Sequence, residues 1–168
     1  ETAATRAAQV ALRDTPPILH PVADDQLRLV FTCCHPALPR ETHVELTLRL
    51  VCGLTVPEIA RALLRGDEAV AKRIQRAKAK IRTAGIPLRV PPAELLDERL
   101  PSVLDCVYLT FTEGYAATAG DDLIRPDLCD EGIRLARLLV GLLPGRPGPE
   151  ALLALLLLTD ARRAARLD

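Results

Sequence analysis

The chain has 168 residues, no formal net charge, 49% hydrophobic residues and only 2% aromatic ones, enough material for one ordinary domain or two small ones. A core this poor in aromatics is aliphatic, which favours helices over sheets. Five cysteines with no C-x-x-C spacing argue against a secreted disulfide framework, and the longest apolar run, 151–158, is too short to span a bilayer.

No signal peptide is visible, so a cytoplasmic location is expected. The chain starts with glutamate and holds no methionine, which suggests a piece of a longer protein. Residues 1–13 are alanine-rich and read as helical; Pro16, Pro17 and Pro21 turn 14–23 into a linker. A helix capped by Asp24 or Asp25 follows over 24–35, with Leu27, Val30 and Phe31 inward, and Pro36 and Pro39 stop it. The next helix covers 40–52 and ends at Gly53.

Residues 54–82 carry the most informative pattern, a helix-turn-helix. Thr55 and Glu58 form a capping box, and Pro57 sits in the first turn, where an amide is not missed. Leu64-Arg65-Gly66 reads as the turn, with glycine supplying the positive φ and Asp67 capping a second helix to about Arg82. Val70, Ile74, Ala77 and Ile81 make one narrow buried stripe. Ala69, Lys72, Arg73, Arg76 and Lys80 share an outward arc, and Lys78 and Arg82 flank the other side of the stripe. From Arg65 to Arg89 the net charge is +6, from eight bases and two acids.

That one-sided charge suits a helix placed in the major groove of duplex DNA. Arg73 and Arg76 are the candidates for base or near-base contact; Lys72, Lys78, Lys80 and Arg82 are the phosphate candidates. A basic amphipathic helix is often only a solvated face, but the capped first helix and short turn favour DNA.

Residues 83–93 form a proline-rich linker. The rest, 94–168, reads as helices over about 94–112, 127–143 and 149–167 and carries a net charge of −5, from thirteen acids and eight bases. This acidic half is a candidate to fold back over the basic patch. The last helix is apolar nearly all round at 151–158, so burial is expected there. Glu113-Gly114-Tyr115 and Asp121-Asp122 fall in the longest loop, where carboxylates most often cap. Cys33-Cys34-His35 lacks a second ligand pair, so buried thiols at a helix end are expected rather than zinc. There is no nucleophile–base pair and no phosphate loop; neither enzyme activity nor a cofactor is expected. The fold class is all-α: a four-helix unit over 24–82, then helical hairpins over 94–168.

The run L-P-R-E-x(3)-E-L-T-L-R-L-V-C-G-L-T-V-P-E-I-A, followed by A-V-A-K-R-I-Q-R-A-K-A-K-I-R, resembles region 4 of bacterial RNA polymerase sigma factors, of the extracytoplasmic-function type. With TCCHP, AGIPLRVP, YLTFTEGYAA and DLCDEGIRLARLL, the resemblance extends to the subgroup with a C-terminal, TPR-like helical extension. It implies −35 promoter contact through Lys72, Arg73 and Arg76, and RNA polymerase β-flap contact through helices 24–35 and 40–52. Ala69 stands where the family often has threonine, and no region 2 is present in these residues. Two other readings remain: a helix-turn-helix regulator whose second half senses a ligand or dimerises, and a helical protein-interaction scaffold. In the sigma reading, 94–168 is a regulatory domain that contacts a partner protein or the chain itself.

Overall fold

The computed structural model describes residues 24–118 and 123–166. The expected helix at 1–13, the linker at 14–23 and Asp121-Asp122 lie outside them. The described residues form an all-α fold of seven α-helices: α1 (Asp25–Cys33), α2 (Arg40–Leu50), α3 (Val56–Ala62), α4 (Asp67–Thr83), α5 (Ala93–Tyr115), α6 (Pro126–Leu142) and α7 (Pro147–Asp160). A single 3-10 turn, Ala164–Arg166, follows.

Of the early helices, α1 and α3 start at a residue whose side chain caps the free amides, while α2 and α4 start at Pro39 and Gly66 without a side-chain cap. Asp24 caps α1 by accepting from the Leu27 amide at 2.8 Å. Cys33 closes α1 and Cys34 caps it, both buried, as expected of thiols at a helix end. Burial pushes the Cys33 thiol up to about 12 and the Cys52 thiol up to about 11. Such thiols stay protonated at neutral pH and are poor nucleophiles. Among the described residues no group of three or more His, Cys, Asp or Glu could hold a metal ion.

Two apolar cores run through the molecule, and α1 borders both. Leu27, Val30, Phe31 and Cys34 pack with α5, α6 and α7. Cys33 and Leu29, on the other side of the same helix, pack with α2, α3 and α4. The inward residues expected in α1 are therefore inward, but toward the C-terminal helices. Ion pairs reinforce this seam. Arg134 of α6 holds Asp24 at 2.6 Å and Glu131 at 2.8 Å, and also bonds Gln26. Burial alone would raise the Asp24 carboxyl; the Arg134 guanidinium and the Leu27 amide hold it below its ordinary value.

The extension departs from the sequence reading in three places. First, α5 runs on through Glu113-Gly114-Tyr115, which are its last turn and not a loop. Glu113 is buried and accepts from the Thr118 amide and hydroxyl, 3.0 and 2.9 Å away, so this carboxylate does cap. The helix continues because Gly114 lets α5 meet α6: a Cβ there would lie 2.6 Å from the Cys129 amide nitrogen. Gly132 does the same against Phe111, whose Cβ would be 2.8 Å away. Second, α7 buries Leu152 and Leu156 but leaves Leu155 and Leu158 exposed, so the helix is half-covered. Third, the acidic half does not lie over the basic patch. The chief packing partners of α4 are α2 and α3, while α5 packs on α1 and α2.

Candidate nucleic-acid interface

The helix-turn-helix is built from α3 and α4. Thr55 and Glu58 form the expected capping box: the Glu58 carboxylate accepts from the Thr55 amide at 2.6 Å, and the Thr55 hydroxyl accepts from the Glu58 amide at 3.4 Å. These hydrogen bonds from Thr55, with Arg125 nearby, hold the Glu58 carboxyl below its ordinary value. Arg125, just before α6, reaches Glu58 at 3.4 Å and ties the extension to the start of α3.

The turn forms by a different route from the one its glycine suggests. Leu64, not Gly66, takes the left-handed conformation, with φ of 52°. Gly66 has φ of −80° and is itself the N-cap of α4, in place of Asp67. The chain reverses between the Leu63 cap and Arg65, whose amide donates to the Ala60 carbonyl at 2.7 Å. Leu64 is 94% exposed, so no burial offsets the cost of its backbone.

Helix α4 then lays Val70, Ile74 and Ala77 into the core, with Ile81 partly buried behind them. Asp67 and Glu68 sit in the first turn and Lys80 and Arg82 in the last, the order the macrodipole favours. This registration fixes where every predicted cation stands. Lys72, Arg76, Lys78, Lys80 and Arg82 are exposed. Lys72 pairs with Glu68 at 2.5 Å, an exposed contact worth little and easily exchanged for another anion. Arg76 and Lys80 line a cleft of about 490 Å³ between α4 and the start of α2, floored by Leu38, Pro39 and Ala77. Lys78 and Arg82 line the opposite flank.

Arg73 stands apart from the others. Its Nε donates to both carboxylate oxygens of Glu45, at 2.8 and 2.9 Å, and Glu45 is wholly buried on α2. The guanidinium expected to reach base edges is thus turned inward and engaged. Sequence spacing put Arg73 on the outward arc, but the buried carboxylate 28 residues earlier could not be seen to face it. Conversely, exposed Gln75 was passed over. It lies opposite the Val70–Ile74 stripe beside Lys72, and helical geometry without the charge filter would have found it.

Comparison with known proteins finds separate matches for two stretches of the chain. Residues 99–168 match a model described as a family of unknown function, DUF6596. An uncharacterized protein of Rhizobium meliloti (strain 1021) is 50% identical over 145 residues. The match covers 86% of this chain but 34% of the relative, so the chain spans about a third of that protein's length. No solved structure matches. Residues 28–81, which comprise most of α1 together with α2 and α3 and almost all of α4, match the model described as Sigma-70, region 4. This match on the segment that carries the cationic face supports kinship with the sigma factors, a non-enzymatic DNA-binding family.

Proposed function

We propose that this chain reads the −35 element of a promoter through α4 and works with RNA polymerase in transcription initiation, as an extracytoplasmic-function sigma factor segment with a regulatory helical extension. The observation that carries the reading is the single-sided cationic face of α4, exposed on a capped helix-turn-helix inside the region 4 match. In this reading Lys72, Gln75 and Arg76 approach base edges, while Lys80 on one flank and Lys78 and Arg82 on the other meet phosphates of the two strands. Polymerase has a restricted landing area: α2 exposes only Arg40 and Glu41, which moves the contact toward α1 and the 35–41 turn.

The test is retention on immobilised core RNA polymerase together with selection of duplexes from a random pool. Retention and enrichment of an asymmetric site support the sigma reading. A palindromic site bound by a dimer, without polymerase retention, supports the regulator; the exposed Leu155 and Leu158 of α7 favour that second reading. No enrichment at all, with intact helical signal, sinks both.

A further inference from the structure

A carboxylate taken fully out of water must be answered by a partner with good geometry. Glu45 is such a group: it projects from α2 with no exposure, among Leu46, Thr47 and Leu48, which are buried too. Its partner comes from α4. Arg73 Nε bonds both carboxylate oxygens, and Nη2 lies 2.7 Å from Oε1 without hydrogen-bond alignment. Arg65, in the turn before α4, places Nη1 4.0 Å from the same oxygen. Glu45 thus gathers two cations from the helix-turn-helix around one buried point. Burial lowers the affinity of Arg73 for its proton, but the Glu45 hydrogen bond outweighs this and raises it.

Among the described residues, the other side chains that seat α4 on the body are apolar: Val70, Ile74, Ala77 and the partly buried Ile81. Apolar contacts are not directional, so by themselves they define the azimuth of a helix less sharply than a directional contact does. A guanidinium–carboxylate contact is directional. Arg73 stands one residue from Lys72, two from Gln75 and three from Arg76, so whatever fixes Arg73 fixes the azimuth of the face that carries them.

We propose that Glu45, acting through Arg73, is a specificity-determining positioning residue: it sets the roll of α4 and so decides which base edges Lys72, Gln75 and Arg76 meet, while touching no DNA itself. The inference rests on the DNA-binding reading of α4. It removes Arg73 from the base-contacting set and gives that arginine its role one step behind the interface.

The experiment uses the full chain with two probes, a duplex selected from a random pool by the wild-type chain and a scrambled duplex of equal length. Glu45→Met and Arg73→Met should each lower the selected-to-scrambled affinity ratio by about tenfold, the discrimination of one well-made base contact. Glu45→Met frees Arg73 as an extra cation, so scrambled DNA should bind more tightly, with a salt slope steeper by about 0.9. Arg73→Met should leave that slope unchanged. The double variant Glu45→Met with Arg73→Met should lower the ratio no further than either single change, the non-additivity that a double-mutant cycle registers as coupling. Should either methionine variant lose its helical signal, Glu45→Gln and Arg73→Lys replace them, with the same direction and a smaller drop.

A ratio that collapses in Arg73→Met but holds in Glu45→Met makes Arg73 a base reader and overturns the proposal. A lowered melting temperature with an unchanged ratio in both variants makes the pair a stability pin only, and overturns it too. A folded wild-type chain that enriches no duplex overturns the DNA reading itself, which separates that failure from the other two.

Discussion

In the extension, Arg125, Arg134, Arg146 and Arg163 each hold a carboxylate, at distances from 2.6 to 3.4 Å. On the outside of α4, Arg76, Lys78, Lys80 and Arg82 form no ion pair among the described residues. The two halves thus use the same residue types for opposite ends. Where helices must be held together, the chain supplies an acid for each of these arginines. On the exposed face of α4 it withholds the acid and keeps Asp67 and Glu68 in the first turn of the helix. Lys72 sits between these cases, with a partner it can trade. Charge totals alone, +6 against −5, would not have shown this; the pairing does.

The largest test of the packed half is Gly114→Ala. Its Cβ would meet backbone on α6 at 2.6 Å, so α5 and α6 must separate, at about 1–3 kcal/mol of overpacking. Chemical denaturation should show that loss, and an unchanged midpoint would mean the helices are not closely crossed there. Next, Arg134→Ala should destabilise by about 1–2 kcal/mol by leaving Asp24 and Glu131 without their shared partner. Its DNA salt slope should not move. Lys80→Ala should do the reverse, leaving stability within about 0.5 kcal/mol and lowering the slope by about 0.9. Equal effects of the two substitutions on both measurements would erase the distinction between held and free cations.

A pH series sharpens the same contrast. Burial holds the His43 imidazole below its ordinary value of 6.5, with its Nε2 hydrogen-bonded to the Leu38 carbonyl at 3.1 Å. The unfolded chain therefore binds the proton first. The stability from neutral His43 is complete above 6.5 and is lost as pH falls through that value toward the folded one. Melting temperatures should drop on mild acidification, and less so in His43→Gln. The carboxyls of Asp24 and Glu58, held low, should lose their contribution further into acid, as pH falls through their ordinary values of 3.8 and 4.5 toward the lower folded ones. The smallest effect belongs to Leu64→Gly. Relieving a left-handed leucine should raise stability by up to about 1 kcal/mol, offset in part by the added freedom of glycine in the unfolded chain. A clear loss would show that exposed Leu64 makes a contact after all.

The parts of the fold legible in the sequence are those set by neighbours along the chain. The Thr55–Glu58 box, the Asp24 cap, the Val70–Ile74–Ala77 stripe and the all-helical class follow from spacings of three and four residues. What escaped depends on contacts between distant segments. Gly66 carried the usual signal for positive φ, yet the left-handed residue is Leu64, two positions earlier, and Gly66 is the cap of α4. Gly114 read as a loop residue, and with Gly132 it is a point where two helices touch. Arg73 had the right periodicity for the DNA face, but Glu45 claims it from another helix. Periodicity says which way a side chain leaves its own helix; it does not say what waits there.

The double allegiance of α1 bears on how this molecule can be divided. Its Leu27, Val30 and Phe31, all wholly buried, belong to the body formed by α5, α6 and α7, although α2, α3 and α4 lie between them in the chain. In architectural terms α2, α3 and α4 are an insert within a discontinuous body. A graft or truncation cut at the proline-rich stretch before α5 would strip three large side chains of their cover, at about 1.5–3 kcal/mol each. A cut after α1 and before α5 keeps those three side chains covered, and leaves Cys33 and Leu29 as the α1 residues that lose their neighbours.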